Sequence, residues 1–357
     1  MVDTLESTDQ TIVLQDQVKE ALVSKTPLVI QGGGSKHFYG RVIEGAPLST
    51  SGHKGIIRYQ PTELVITARA GTLLSEIEAQ LAENHQMLPF DPPYFGKHAT
   101  LGGMVASGLS GPQRPWSGAV RDMVLGCRVI NGSGEILRFG GEVMKNVAGY
   151  DISRLMSGAL GTLGLLLDIS LKVQPKPAFE RTLILPASTA ESLIKFNQWR
   201  ASLLPLSAAV HYDGAIYLRL SGNPAAVEQA CSQLGGAAAE DAICWTAIRE
   251  HKHAFFDQEA PLWRLSVPPA TPCLELAGST FIDWAGAQRW LCSDVPATRI
   301  REAVGRVGGH ATLFRGGDRL GEIFHPPSQG VWQLHQRIKK AFDPNGIFNP
   351  GRLYPAL

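Results

Sequence analysis

The chain is expected to be an α+β protein in more than one part, and three features of its 357 residues carry that expectation. Up to about residue 177, short apolar strands run into glycine-rich segments around 32–34, 102–108 and 149–164. An apolar strand closing at Val173 then meets Pro175 and Pro177, which cannot donate to a sheet ladder and so mark a boundary. From about 178 to 305 glycine thins out and helical segments alternate with short strands, the pattern of an antiparallel sheet with helices packed on it. The expected parts are residues 1–177, 178–305 and a C-terminal segment, 306–357.

In chain order, Leu14, Val18, Ala21 and Leu22 recur at helical spacing, on a helix ended before Pro27. Residues 28–30 form a short apolar strand that runs into Gln31-Gly-Gly-Gly-Ser-Lys36. A second strand, 64–68, precedes Gly71, and Thr72 is placed to N-cap a helix with Leu73, Leu74, Ile77 and Leu81 on its apolar face. Gly/Pro-rich stretches follow at 88–93, 100–103 and 108–115. Strands at 124–130 and 135–139 flank Asn131-Gly-Ser-Gly134, a hairpin signal. The second part is expected to hold helices at 188–200, 224–234 and 285–291, with strands at 209–211, 215–220, 263–267 and 278–283. A last helix sets Val331, Leu334, Ile338 and Phe342 on one face, and Asp343-Pro-Asn-Gly-Ile-Phe-Asn-Pro-Gly-Arg352 turns the chain.

Charge and cysteine content exclude several classes. Lys plus Arg is 33 against 32 for Asp plus Glu, so no electrostatic case exists for nucleic acid or an anionic membrane surface. The cysteines, Cys127, Cys231, Cys244, Cys273 and Cys292, are odd in number and form no C-x-x-C pair. They suit neither a disulfide framework nor a zinc or iron–sulfur site, and fit a reducing cytoplasm. Residues 1–17 are polar rather than a signal peptide. The longest uncharged apolar run, 155–167, stops at Asp168, short of the ~20 residues a membrane span needs. A cytoplasmic location is expected, with any membrane association peripheral, at the inner face and through a partner.

Consecutive glycines after a strand, as at Gly32-Gly33-Gly34-Ser35, expose several backbone N–H groups in one concavity, which suits a pyrophosphate. Taken alone they are explained better by a simple tight turn. No G-x-x-x-x-G-K-[ST] is present, which excludes a P-loop. Gly158, Gly161 and Gly164 are spaced G-x-x-G-x-x-G and precede a strand, unlike the Rossmann G-x-G-x-x-G that opens a helix. Three glycine-rich walls in one region fit an extended cofactor touched mainly by backbone.

The order Leu28-Val-Ile-Gln-Gly-Gly-Gly-Ser35, Thr100-Leu-Gly-Gly-Met-Val-Ala-Ser-Gly108, Val120-Arg-Asp-Met-Val-Leu-Gly126, Gly158-Ala-Leu-Gly-Thr-Leu-Gly164 and Phe348-Asn-Pro-Gly-Arg352 resembles FAD-binding domains of the vanillyl-alcohol oxidase/p-cresol methylhydroxylase (PCMH) type. Within that family the chain is most similar to the FAD-binding subunits of bacterial glycolate oxidases, through Gln113-Arg-Pro-Trp-Ser-Gly118, Phe139-Gly-Gly-Glu-Val-Met-Lys-Asn-Val-Ala-Gly-Tyr-Asp151 and Ile282-Asp-Trp284. The resemblance implies a two-subdomain PCMH-type FAD-binding domain over 1–177, an α+β cap domain with an antiparallel sheet over 178–305, and a segment over 306–357 that returns to the FAD domain. It implies that Gln31, Gly32, Gly33, Gly34 and Ser35 cradle the pyrophosphate. Asp91, Pro92, Thr100, Gly102, Gly103, Ala106 and Ser107 would follow the ribityl chain and isoalloxazine. Gly158, Gly161, Thr162, Gly164 and Leu165 would wall the adenosine end, with Asn349 and Arg352 returning towards the flavin ring. Some members attach FAD to a histidine after the first glycines. Ser35 stands there and His37 lies two residues on, so non-covalent FAD is expected.

The chain departs from its hydroxyacid-oxidising relatives by lacking an H-x-G-D-G-N-x-H segment and a later E-H-G stretch; His310 stands alone in roughly that region. His251-Lys-His253 reads as a solvated pair rather than a metal site, no metal is expected, and His325 and His335 read as surface residues. Asp283-Trp284 reads as packing near a domain interface. Arg114, Trp116 and Arg121 either bind a substrate carboxylate or hold their loop. The catalytic residues are therefore unassigned, with Arg114, Arg121, His310 and Arg352 as candidates. The resemblance implies a subunit of a complex that oxidises glycolate to glyoxylate, with a paralogous catalytic FAD subunit and an iron–sulfur subunit as partners. The alternatives are a self-sufficient FAD-dependent 2-hydroxyacid dehydrogenase and a structural subunit with a degenerate flavin site.

Overall fold

The computed structural model describes residues 7–141, 151–239 and 243–357. Gly149 and the rest of the 142–150 stretch, which helped to carry the resemblance, lie outside the described residues.

The helix Thr11–Ser24 buries Leu14, Val18 and Ala21, as the spacing predicts. They pack on Leu28, Leu48, Ile130, Leu165 and Phe348. The strand Leu28–Gln31 pairs in parallel with Ala46–Ser49, and Leu28 also bridges to Phe348. The last residues of the chain therefore lie beside its first strand. A five-stranded antiparallel sheet runs in the spatial order Ile56–Gln60, Val65–Arg69, Leu165–Lys172, Val124–Ile130, Ile136–Gly140. Its central strand, Leu165–Lys172, is buried along all but its last residue, which explains the unbroken apolar run. The one carboxylate in that run, Asp168, is held by Arg128 and by the fully buried His53. The Asn131 side chain closes the expected hairpin by accepting the amides of Ser133 and Glu135.

The helix Leu74–Ala82 buries Leu74, Ile77 and Leu81, but Thr72 is not its cap. The Thr72 hydroxyl is buried and is satisfied instead at Gly55, accepting its N–H at 2.9 Å and donating to its carbonyl at 3.2 Å. Leu73 occupies the N-cap position, with no side-chain bond.

The second sheet has eight strands, in the order Ala237–Ala238, Phe179–Pro186, Ala215–Gly222, Leu206–Tyr212, Ser279–Asp283, Gln288–Cys292, Leu262–Ser266, His310–Arg315. Three helices cover one face. Thr189–Arg200 starts with a reciprocal Ser188/Glu191 capping box, Pro224–Leu234 follows Asn223 as cap, and Ala297–Arg306 lays Ile300 and Val304 on Trp263, Leu265 and Leu313. The other face is aromatic: Phe281, Trp290 and Phe314 join Tyr39 and Leu109 of the first half in one core. This is the mixed α+β architecture that the sequence predicts.

Two expected features of this half are corrected. Residues 285–291 are not a helix. Trp284–Gly286 is a single 3-10 turn with Trp284 and Ala285 in the left-handed region (φ 53° and 49°), and Gln288–Cys292 is a strand with every residue buried. A strand covered on both faces shows no alternation, so its apolar run does not separate strand from buried helix. His310–Arg315 pairs with Leu262–Ser266, so the second sheet continues to Arg315, past the expected limit at 305.

The C-terminal helix Gln329–Phe342 sets Ile338 and Phe342 against the first core, but Val331 and Leu334 are 45% and 54% exposed. The predicted apolar face therefore packs only over its second half. There Lys339 goes inward. Its ammonium donates to the carbonyls of Thr162 (2.8 Å) and Phe348 (2.9 Å) and to Asp343 Oδ2 (2.7 Å). Asp343 in turn accepts the amides of Ile347 and Phe348.

Asp343→Ala strands a buried ammonium and frees two buried amides, and should cost about 3–5 kcal/mol, read by urea denaturation. Lys339→Met/Asp343→Ala together should recover part of the loss. A loss of only about 0.5 kcal/mol in the single variant, the scatter of surface substitutions, would contradict this account.

Candidate functional site

The first strand delivers the chain into a cleft built by its own turn. After Gln31 the backbone folds tightly over the 98–103 segment: a Cβ on Gly33 would lie 1.4 Å from the His98 carbonyl oxygen, and one on Gly32 would lie 2.4 Å from Thr100 Oγ1. Gly34 sits at φ 73°, where a side chain is strained. The result is a concave run of main chain. Among the described residues, the amides of Gly32, Gly33, Gly34 and Ser35 make no hydrogen bond within the protein. Four neighbouring unbonded N–H groups along one wall of a cleft suit an anion.

The opposite wall is the helix Leu101–Ser107, whose Gly102 lies too close to Ala70 for any side chain. The third wall is the 160–166 stretch. The C-terminal turn closes the assembly. Asn349 accepts the Ile30 amide at 2.8 Å and donates to the Leu160 carbonyl at 2.6 Å, tying the first strand to the third wall. The cleft encloses a cavity of about 130 Å³ and opens widely at its mouth.

Most of the sequence-predicted binding residues meet here. Gln31, Gly32, Gly33, Gly34 and Ser35 line it from the first wall; Thr100, Gly102, Gly103, Ala106 and Ser107 from the second; Gly161, Gly164 and Leu165 from the third; Asn349 and Arg352 from the C-terminal turn. Four do not line it. Asp91 accepts from Arg219 at 2.8 Å and from the Gln113 amide, joining the two halves of the molecule. Pro92 is buried next to it. Gly158 backs onto Gly108, which has no room for a Cβ against it. Thr162 is buried, and its hydroxyl and carbonyl are both engaged, with Ala159 and Lys339.

Lys36 also lines the cleft and was missed. Burial pushes its ammonium down to about 8, against the pull of Glu250, and its Nζ donates to the Tyr94 carbonyl at 3.2 Å. Its place after the glycines was the available signal, since a lysine there faces the same space as the free amides.

The catalytic candidates are dispersed. Arg114 stacks on Trp284, 4.4 Å from the ring centroid. Arg121 is exposed beside Asp122. His310 is exposed at the start of an edge strand. Arg352 borders the cleft but spends its guanidinium on the carbonyls of His37, Tyr39 and Arg41. Among the described residues no cluster of His, Cys, Asp and Glu could hold a metal ion, and no helix is long and apolar enough to cross a membrane.

Residues 5–140 match the FAD binding domain family, and residues 327–353 match the C-terminal domain of FAD linked oxidases. The chain is 48% identical over 353 residues to the glycolate oxidase subunit GlcE of Escherichia coli K12, an alignment that covers 99% of this chain and all of that one. It is 31% identical over 162 residues to the glycolate oxidase subunit GlcD of Bacillus subtilis, covering 45% of this chain and 34% of that protein. Its fold superposes on the crystal structure of p-cresol methylhydroxylase with substrate bound at a TM-score of 0.70 and 15% identity, over 97% of this chain and 87% of that one.

Gly33→Ala should abolish retention of a dinucleotide on gel filtration, because the new methyl group displaces the free amides; retention equal to the native chain would contradict the cleft's role. A pH effect follows from Lys36. Its folded pKa of about 8 lies below its ordinary 10.5, so between these values the unfolded chain binds more protons and stability rises with pH. Thermal unfolding of the ligand-free chain should show that rise, and Lys36→Met should remove it. An identical pH profile in the variant would refute the assignment.

Proposed function

This chain belongs to the family of the glycolate oxidase subunit GlcE, and from that premise we propose that it is the FAD-binding subunit of a complex that oxidises glycolate to glyoxylate. Its cofactor is FAD, and it is a subunit of a flavin-dependent oxidoreductase. The observation that carries the proposal is the run of unbonded amides at Gly32–Ser35, in a cleft walled by three glycine-rich segments. Bound flavin would supply hydride acceptance and the release of electrons one at a time.

The chain's own residues do the holding. The 32–35 amides would take the pyrophosphate oxygens, and an arriving anion would keep Lys36 charged. Thr100, Gly102, Gly103, Ala106 and Ser107 would lie along one side of the cofactor, with Gly161, Gly164 and Leu165 along the other. Asn349 would hold these walls at a fixed spacing without touching phosphate. In this reading Asp91, Pro92, Gly158 and Thr162 support the walls from behind. The first glycine turn offers Ser35 where a covalent histidine would stand, which supports non-covalent binding.

We further propose that the catalytic partner is a GlcD-type FAD subunit and that electrons leave through an iron–sulfur subunit. The resemblance of part of the chain to GlcD supports a paralogous partner. The five cysteines are too scattered to hold a cluster here. The division into a FAD-binding part, a cap and a returning C-terminal segment belongs to this proposal, with the cap carried on to Arg315.

Co-expression with a GlcD-type subunit and the iron–sulfur subunit tests the assignment. The chain should co-purify with both, and glycolate oxidation with a dye acceptor should need all of them. Full activity of the isolated chain would overturn the subunit reading in favour of a self-sufficient dehydrogenase.

A further inference from the structure

We infer that Glu250, which belongs to the second half of the molecule, is a positioning residue for the cofactor: it holds the turn at 94–96 that sets the Lys36 ammonium against the cleft. The role rests on the reading of the cleft as an FAD site, and it places a control of that site outside the cleft.

The connection runs in three steps. The helix Trp245–Arg249 ends at Glu250, and Arg249 Nε donates to Glu250 Oε1 at 2.8 Å. The same carboxylate accepts the amide of Tyr94 at 3.1 Å and the amide of Phe95 at 2.8 Å. Two consecutive amides on one carboxylate fix the direction of the peptide between them, and hydrogen bonds to a charged acceptor are the strong ones. Held this way, the Tyr94 carbonyl accepts from Lys36 Nζ at 3.2 Å. Lys36 lines the cofactor cleft, whereas neither Tyr94 nor Glu250 does.

The turn needs such a hold. Phe95 sits at φ 51°, an unfavourable conformation for a non-glycine residue. Its ring packs edge-on against Phe38 at 5.4 Å, and its amide is the one that Glu250 takes at the shorter distance. Gly96 follows at φ 147°, and a Cβ on it would lie 3.5 Å from Ser35 Cβ. The turn therefore abuts the first glycine segment at both Ser35 and Lys36.

The surrounding charges leave Glu250 as the counterweight to Lys36. Burial lowers the pKa of the Lys36 ammonium, and Glu250 pulls it back up. Glu78 is hydrogen-bonded to Tyr94, and Asp91 is paired with Arg219. Arg249 lies over the ring of Tyr94, and Arg315 over those of Phe38 and Phe95. Arg352 is bonded to three carbonyls. His251 is stacked on Phe256 and kept neutral by burial, while His37, Lys97 and His98 are exposed. The Glu250 side chain is only 9% exposed, so salt screens its charge weakly.

One carboxylate thus places the ammonium and helps it keep its proton. An anion in the cleft favours the protonated form. With a pKa of about 8, the ligand-free chain loses that proton as pH rises through this value while the loaded chain retains it, so cofactor affinity falls over the same range. Without the charge of Glu250 the proton leaves more readily, and the fall starts at lower pH.

Titration of FAD into the flavin-stripped full-length chain, followed by flavin fluorescence from about pH 6 to 10, tests this. The native chain should bind more weakly above about pH 8. Glu250→Gln should weaken binding at neutral pH roughly 2- to 30-fold and move the fall to lower pH. Glu250→Asp keeps the charge but not the reach; it should weaken binding with the fall nearer its native place, and it serves where the Gln variant does not fold. Lys36→Arg, charged throughout this range, should bind without the fall. In a Lys36→Met background, Glu250→Gln should cost little more, because the two side chains act as a unit. Native affinity and a native pH profile in Glu250→Gln would overturn the inference, as would a full loss in the Lys36→Met background, the mark of a purely structural Glu250. If FAD binds tightly and alike in every variant, the cofactor reading stands and the inference fails. If the native chain binds no FAD at any pH, the cofactor reading fails and the inference with it.

Discussion

The structure hangs on one side chain that joins three distant pieces of chain. Asn349 holds the Ile30 amide with its carbonyl oxygen and the Leu160 carbonyl with its amide nitrogen. Its position depends on the turn that the Lys339–Asp343 pair fixes from below. Among the described residues, no other hydrogen bond links the first strand and the 160–166 wall as this side chain does. The C-terminal turn is therefore part of the cofactor cleft although it need contribute no contact to the cofactor. It also explains why Gly161 cannot be larger: a Cβ there would lie 2.7 Å from the Asn349 amide nitrogen.

The glycines divide into two physical kinds. Gly32, Gly33 and Gly102 are small because protein lies against them, at Thr100, His98 and Ala70. Gly34 and Gly161 are glycine because their φ values are 73° and 71°. None of these reasons invokes a ligand directly. The ligand enters through the consequence: a backbone packed this tightly lines the cleft with N–H groups that have no partner in the protein. The turn and the cofactor readings of the three glycines are thus the same structure described from its two sides.

Much of this was legible in the sequence. The first helix, the hairpin at 131–134 and the helix over 74–82 followed from spacing and turn residues, and the glycine clusters located three walls of one cleft. What escaped had common causes. Gln288–Cys292 is buried on both faces, so its strand period is invisible. Thr72 is drawn to Gly55, a tertiary partner that local capping rules do not contain. Arg114 and Arg352 look like free cations in the sequence and are spent on a tryptophan face and three carbonyls. Lys36 was passed over, and His251 was read as one of a solvated pair though its ring is stacked on Phe256, for the opposite reason: their chemistry comes from burial, and burial arises only when distant parts of the chain pack together.

The central claim is that the cleft behind the first strand binds FAD without a covalent bond. The most direct measurement is the flavin content of the purified full-length chain, by visible absorbance before and after acid precipitation. This account predicts about one FAD per chain, all of it released to the supernatant. A colourless chain that takes up no FAD when it is supplied, or flavin that stays in the precipitate, would contradict it.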